Sequence, residues 1–286
     1  MAEFFNQASL SYNGVVTNSN TTKGCIAETL TVTQTAVLSG YTRGDVVTYV
    51  VNIINSGQAA YVNVCLKADL GKFKNGEDIL VPLDYADCSA KIFVNGVLQA
   101  EADVNCENGL EICGITIPSG VTTVVYSARV NDFADIDTDG EIMNTVTVSG
   151  NGFSDIFAES TIKASKKAVL TVEKSLTPTN VTENGQLTYT FVIRNSGNSP
   201  VTVKDDAVIT DVFTPALNIQ SVMFNGEVWT ENVNYRYTQN EDETAVFESI
   251  LGELTVPAAV YLRNPVTKTI VIEPGVSTLI ITGTIK

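Results

Sequence analysis

The sequence contains no histidine. That removes the commonest general base, the Ser–His and Cys–His nucleophile pairs, and every zinc site that needs an imidazole. Basic residues are scarce: 17 Lys and Arg stand against 32 Asp and Glu, a net charge of −15. A chain this acidic offers no basic patch for phosphate backbones, which argues against a nucleic-acid partner. No stretch approaches the roughly 20 apolar residues of a membrane span, so no membrane insertion is expected. Residues 1–14, MAEFFNQASLSYNG, lack a basic region followed by a long apolar run, so no secretion signal is expected. Tryptophan occurs once, at Trp229 beside Asn225-Gly226. With carboxylates as the main acid–base groups left, the expectation is a structural protein rather than an enzyme, with no cofactor.

What is present is sheet-forming material. Hydrophobic residues make up 44% of the 286 and charged residues 17%, a globular composition long enough for two domains. Val, Ile, Leu, Tyr and Phe are set among many Thr and Asn, types that suit a pleated, half-buried surface. Apolar residues alternate in TVTQTAV, VTYVVNII, TTVVYSARV, LTYTFVI and TLIITGTI. Turn signals fall between such runs at Asn95-Gly96, Asn225-Gly226 and Pro274-Gly275. The pattern predicts an all-β protein of immunoglobulin-like β-sandwiches without a long helix.

The chain also repeats itself. Leu30-Thr-Val-Thr-Gln matches Leu170-Thr-Val-Glu-Lys, and Thr48-Tyr-Val-Val-Asn-Ile-Ile-Asn-Ser-Gly57 matches Thr188-Tyr-Thr-Phe-Val-Ile-Arg-Asn-Ser-Gly197, both 140 positions apart. Phe93-Val-Asn-Gly96 echoes Met223-Phe-Asn-Gly226, and residues 115–121 echo 270–276. Two copies of one unit are therefore expected, over 28–163 and 164–286, preceded by an arm and linker at 1–27.

The copies differ at their ends. Copy one continues past TTVVYSARV into Glu141-Ile-Met-Asn-Thr-Val-Thr-Val-Ser149 and Gly150-Asn-Gly152; in copy two no equivalent follows TLIITGTI, so its last strand is expected to be missing. The missing piece resembles the arm: Glu3 to Gly14 aligns with Glu141 to Gly152 at an offset of 138, setting Asn6 on Asn144, Ala8 on Val146 and Leu10 on Val148. A sandwich without an edge strand leaves an apolar groove and a row of unpaired backbone groups, which a strand from another molecule can fill. Phe4, Ala8, Leu10 and Tyr12 share one face and are the expected pocket residues. Arm and groove lie at opposite ends of the chain, and such a head-to-tail contact builds an open filament. The competing arrangement has the arm fold back on copy two, or pair with copy one, of its own chain.

The segment LTVEKSLTPTNVTENGQLTYTFVIRNSGNSPVTVKDDAVITDVF resembles the bacterial repeat module of unknown function number eleven. The marks are a Lys in the first strand (Lys174), the T-Y-x-x-x-I-x-N-x-G block, the Thr210-Asp211 pair and an N-T-x-T-V final strand at Asn144 to Val148. Copy one matches less well, with Gln34 where the Lys would stand. The resemblance implies an Ig-like fold in a Gram-positive cell-surface or spore-surface setting. Two such modules, five Cys and no signal are similar to the subunits of clostridial spore appendages. That implies a homopolymer, with a further surface protein as a possible anchor or tip.

Three groups are candidates for chemistry. In related pilin domains a Lys amine joins an Asn side chain with help from a buried acid. Here Lys174, Asp211 and Asn6 each share a strand face with apolar neighbours. If those faces point inward, burial favours a neutral amine as nucleophile, and a protonated Asp polarises the amide. The bond would join Lys174 of one subunit to Asn6 of the next; exposure of Lys174 at a strand end is the competing reading. The second group is Cys25, Cys65, Cys88, Cys106 and Cys113. Four can form two bridges, with Cys106–Cys113 the easiest short loop, leaving Cys25 for an intermolecular bond; buried free thiols are the alternative. The third is Asp135, Asp137 and Asp139 with Gly140, the opening of a calcium loop, although its twelfth position is Val146 rather than Glu, no flanking helices are evident, and an acidic connection between strands is the better reading. A surface adhesion module competes with the fibre subunit, with Trp229 as its one aromatic candidate; a carboxylate-only hydrolase is the third reading.

Overall fold

The computed structural model describes residues 2–26, 29–100, 103–107, 109–182, 184–241 and 243–285. It is almost entirely β-strand, with no α-helix among the described residues. The chain divides into two compact units, residues 1–134 with 141–163, and residues 135–140 with 164–286.

The arm is not one extended strand. It is a hairpin, β1 (Ala2–Asn6) and β2 (Ser9–Tyr12) returning through β3 (Val15–Asn18) and β4 (Thr22–Ile26). Asn13 and Gly14 turn it, with φ of 51° and 77°. Positive φ at both central residues matches the twist of paired strands, and Asn-Gly adopts it at little cost. Tyr12 pairs with Val15 at the tip, and Phe4 pairs with Gly24 near the base. Between them, Gln7 and Ala8 oppose Ser19, Asn20 and Thr21, so the extra residue is on the return strand. Every residue from Glu3 to Lys23 is exposed.

Unit 1 continues through β5 (Leu30–Ala36), β6 (Gly40–Tyr41), β7 (Val46–Asn55), β8 (Tyr61–Ala68), β9 (Phe73–Asn75), β10 (Asp78–Leu80) and β11 (Leu83–Tyr85). It is completed by β12 (Lys91–Val94), β13 (Val97–Leu98), β14 (Asp103–Asn105), β15 (Leu110–Ile117), β16 (Gly120–Val130), β17 (Glu141–Ser149) and β18 (Ile156–Ala164). One sheet has the order β13-β12-β16-β7-β5, with β11 also on β16; the other runs β14-β15-β8-β17-β18-β6. The period-two pattern sets the inner faces: Val47, Tyr49, Val51 and Ile53 on β7 and Val124, Tyr126 and Ala128 on β16 are fully buried. Burying a side chain of the size of Val or Ile contributes about 1.5–3 kcal/mol, so this alternation is enough to fix which face turns in.

Unit 2 consists of β19 (Leu170–Thr177), β20 (Gln186–Asn195), β21 (Thr210–Phe213), β22 (Leu217–Phe224), β23 (Glu227–Trp229), β24 (Tyr235–Gln239), β25 (Ala245–Ser249), β26 (Val260–Arg263), β27 (Ile270–Glu273) and β28 (Gly275–Ile285). Its sheets are β19-β20-β28-β22-β23, β21-β25-β24 and the pair β26-β27. Phe191, Ile193, Phe213, Phe247, Leu279 and Ile281 lie in its core.

The repeat is one of register as well as sequence. Leu30 pairs with Asn55 and Gln34 with Val51; Leu170 pairs with Asn195 and Lys174 with Phe191, the same residues 140 positions on. The shared N-S-G block has a structural cause. Asn55 and Asn195 are buried, and each carboxamide bridges strand end and neighbouring loop: Asn55 Nδ2 donates to Ala59 O and Ile117 O, Asn195 Nδ2 to Ser199 O and Pro257 O, and each Oδ1 accepts from the glycine two residues on. A buried amide with all these partners closes the strand end without an orphaned polar atom.

Candidate functional site

The two units part company at one edge. In unit 1, β8 pairs with β15 on one side and β17 on the other, and β18 and β6 extend the sheet. In unit 2, β21 pairs with β25, and no strand lies on its other side among the described residues. Positions that unit 1 covers are consequently open. Leu30 is 6% exposed and Leu170, its counterpart, 44%; Gln34 is buried and its counterpart Lys174 exposed; Val32 is half-buried and its counterpart Val172 61% exposed. A cleft of about 180 Å³ runs between β19 and the chain entering β21, lined by Leu170, Val172, Ile193, Ala207, Ile209 and Leu254.

Lys174 and Asp211 meet at this edge. Lys174 Nζ lies 2.6 Å from Asp211 Oδ2, with the side chains 37% and 16% exposed. The ammonium also sits 4.5 Å from the centre of the Tyr189 ring, 5.3 Å from Phe191 and 5.4 Å from Phe213. Three aromatic faces and one carboxylate hold a cation that is only partly in water. Two of the three residues named for bond formation are thus together.

Unit 1 shows what the third position does when its strand is present. Asn144, on β17, is fully buried; its Nδ2 donates to Tyr126 Oη at 2.7 Å and its Oδ1 accepts from Leu70 N at 3.1 Å. Tyr126 stacks on Tyr49 at 5.3 Å. Burial pushes both phenols well above their ordinary range, and the Asn144 carboxamide opposes that rise in each. Tyr49 is the repeat counterpart of Tyr189, the ring nearest Lys174. Asn6, the arm's counterpart of Asn144, is exposed on β1 with its backbone carbonyl accepting from Thr22 Oγ1. Phe4, Leu10 and Tyr12 are 56%, 70% and 73% exposed, and Ala8 is exposed too. Gln34, at the Lys position of unit 1, is buried with neither side-chain Nε2 nor Oε1 hydrogen-bonded.

The cysteines pair differently from the short-loop expectation. Cys65 and Cys113 form the disulfide, with Cα atoms 4.1 Å apart, while Cys88 and Cys106 are free and exposed. The cause is register: β8 and β15 are neighbours, and an irregularity between Ile112 and Ile115 sets Cys113 beside Cys65. Cys88 and Cys106 line a shared open concavity of about 560 Å³, and burial, then the Asp87 charge, pushes the Cys106 thiol up. The Cys25 side chain lies outside the described residues.

Among the described residues, the Asp135, Asp137 and Asp139 carboxylates do not gather into a group that could hold a metal ion. Asp135 Oδ1 accepts from Asp137 N, Asp137 Oδ1 from Thr138 N and Asp137 O from Gly140 N, an acidic turn closed by its own backbone. Among the described residues, only Cys65, Glu111 and Cys113 gather three potential ligand atoms, and there the sulfurs are bonded to each other. Trp229 is 7% exposed and packs on Phe224 at 4.7 Å, so the adhesion candidate is a core residue. The Asn13-Gly14 pair, with positive φ at both residues, is the sequence signal for the hairpin.

No protein-family model matches the chain, and no curated protein matches it. Among solved structures it is similar to the major pilin subunit BcpA of Bacillus cereus, at 10% identity and a TM-score of 0.36, covering 96% of this chain and 73% of that one. It is also similar to the pilus backbone RrgB of Streptococcus pneumoniae, at 12% identity and 0.33, covering 86% of this chain and 55% of the other. The collagen-binding domain of a Staphylococcus aureus adhesin is matched at 14% identity and 0.29, over 48% of this chain and 99% of that domain. The chain thus spans about half the length of the pneumococcal backbone protein it matches.

Proposed function

We propose that this protein is a structural subunit of an extracellular or spore-surface filament, in which the N-terminal arm of one copy enters the open edge of unit 2 in the next. One observation carries the reading. The repeat positions that unit 1 buries beneath its own last strands are exposed in unit 2, and the arm, aligned with β17 of unit 1, is itself uncovered. An incoming strand pairs with β21 through its backbone and seats alternate side chains in the cleft. The partner is a second copy, with an anchoring or tip protein at the fibre's end. A surface setting agrees with a disulfide, which persists outside reducing compartments.

The same insertion brings Asn6 to the position that Asn144 holds in unit 1, beside Tyr189 and Lys174. Asp211 Oδ2, 2.6 Å from Lys174 Nζ, is placed to take the proton that the amine must lose before it can act as a nucleophile. The amine then attacks Cγ of Asn6. The Nζ–Cγ bond forms, the Cγ–Nδ2 bond breaks, and the amide nitrogen leaves as ammonia with the proton shed by the amine. No oxidant or cofactor enters the balance.

Purified full-length chain is expected to polymerise as its concentration rises. The ladder survives boiling and reductant, and mapped peptides join Lys174 to Asn6 with the loss of one ammonia. A chain that stays monomeric, or one that assembles equally well without residues 2–20, overturns the reading.

A further inference from the structure

Resting on that reading, we infer that the donated element is the whole two-stranded hairpin 2–26, replacing both β17 and β18, rather than the single strand 2–12. Unit 1 itself supplies the template. There β17 and β18 form one hairpin, pairing Ile142 with Ile162 and Asn144 with Ser160. The arm pairs Phe4 with Gly24 and Asn6 with Thr22. Aligning Asn6 with Asn144 therefore aligns Thr22 with Ser160 and Gly24 with Ile162 without further adjustment. At the first of these sites both residues carry a hydroxyl. At the second, unit 1 buries two isoleucines, whereas in the arm the Phe4 ring lies over Gly24, so close that a Cβ there would be 2.2 Å from Cζ. One large ring against no side chain replaces two branched ones on the face that turns inward.

The outer strand does work in unit 1 that no strand does in unit 2 among the described residues. β18 pairs with β6; Ser160 Oγ accepts from Ala36 N at 3.0 Å and Lys163 N donates to Ser39 O at 3.1 Å. These contacts close the seam between the two sheets and leave Tyr41 fully buried. The unit 2 counterparts, 140 positions on, are Leu176 N, Thr179 O and Val181. Val181 is only half-buried, and residues 178–182 are in no strand. A single inserted strand covers β21 and leaves this seam open. A hairpin reaches it, with Thr22 facing Leu176 and residues 24–26 running beside 179–181. Because the hairpin is already paired in the free chain, insertion orders less backbone than capture of a loose strand.

Hydrogen exchange on full-length polymer, compared with full-length monomer at low concentration, tests this. Protection of amides 22–26 and 179–181 by about tenfold or more, together with 2–12 and 210–213, is the expected result. If 2–12 and 210–213 gain protection while 22–26 and 179–181 exchange as in the monomer, a single strand is donated and the hairpin inference falls, although the fibre reading stands. If no part of the arm gains protection, or no polymer forms, both fall.

Discussion

Lys174 and Gln34 occupy one position of the repeat and meet opposite surroundings. Lys174 has a carboxylate at 2.6 Å and three aromatic rings, whereas the Gln34 amide is buried without a partner. At this repeat position unit 2 carries an amine and unit 1 an amide, so the proposed chemistry can be tested by changing Lys174 without disturbing the scaffold. Lys174→Arg retains the ion pair with Asp211 but presents a guanidinium that does not attack an amide. This variant is expected to assemble and then fall to monomer on boiling in detergent, with no ammonia lost by intact mass; a ladder that persists would place the link elsewhere. That Lys174 shares a face with Leu170 and Val172 was legible from strand alternation, because a period of two says which residues share a face; that this face is exposed in the single chain was not. The cysteine pairing was not. Loop length favours Cys106–Cys113, but the bond follows the adjacency of β8 and β15 and a register irregularity between Ile112 and Ile115. Cys113→Ser opens a loop with a sequence separation of 48. It is expected to lower the stability of unit 1 by about 2–4 kcal/mol, read from denaturant melts with and without reductant.

At the level of elements, the two copies and their strand register followed from matched sequence blocks, since identical spacing places identical residues opposite each other. The arm did not follow. Read as a counterpart of β17 it looks like one strand, and only the Asn13-Gly14 turn, with the return strand 15–26 behind it, makes it a hairpin. Return strands of polar Thr, Asn and Ser alternate too weakly to announce themselves. The seat of Phe4 on Gly24 is the element's weak point. Gly24→Val puts side-chain atoms where the Phe4 ring now lies, and must either displace the ring or splay the hairpin. Both sandwiches should keep their melting transitions, since the arm side chains from Glu3 to Lys23 are all exposed. Assembly, followed by light scattering, is expected to fall about tenfold or more in rate, the effect of losing a well-packed aromatic anchor from an interface. Unchanged assembly would mean that the Phe4–Gly24 face is not the one that enters the cleft.

For the whole molecule, the proposed donor and acceptor are different surfaces of one chain, and a contact between unlike surfaces does not close on itself. The two roles can therefore be separated and recombined. A chain lacking residues 2–26 is expected to accept but not donate. A Val172→Glu chain is expected to donate but not accept. Val172 is 61% exposed, so the fold tolerates the charge, but it lines the apolar cleft, and a charge there meets the apolar face of an inserted strand. Alone, each variant is expected to remain monomeric by size-exclusion chromatography at any concentration reached. Mixed in equal amounts, they are expected to form a species of two chains and nothing longer, because the donor's own cleft is blocked and the acceptor has no arm to pass on. Adding the acceptor-only chain to the unaltered protein should shorten its polymers in proportion to the amount added, by capping growing ends. Polymerisation by Val172→Glu alone would exclude the cleft beside β21 as the acceptor. Two-chain products from the arm-less chain alone would show a contact between like surfaces, which closes after one step and cannot build a fibre.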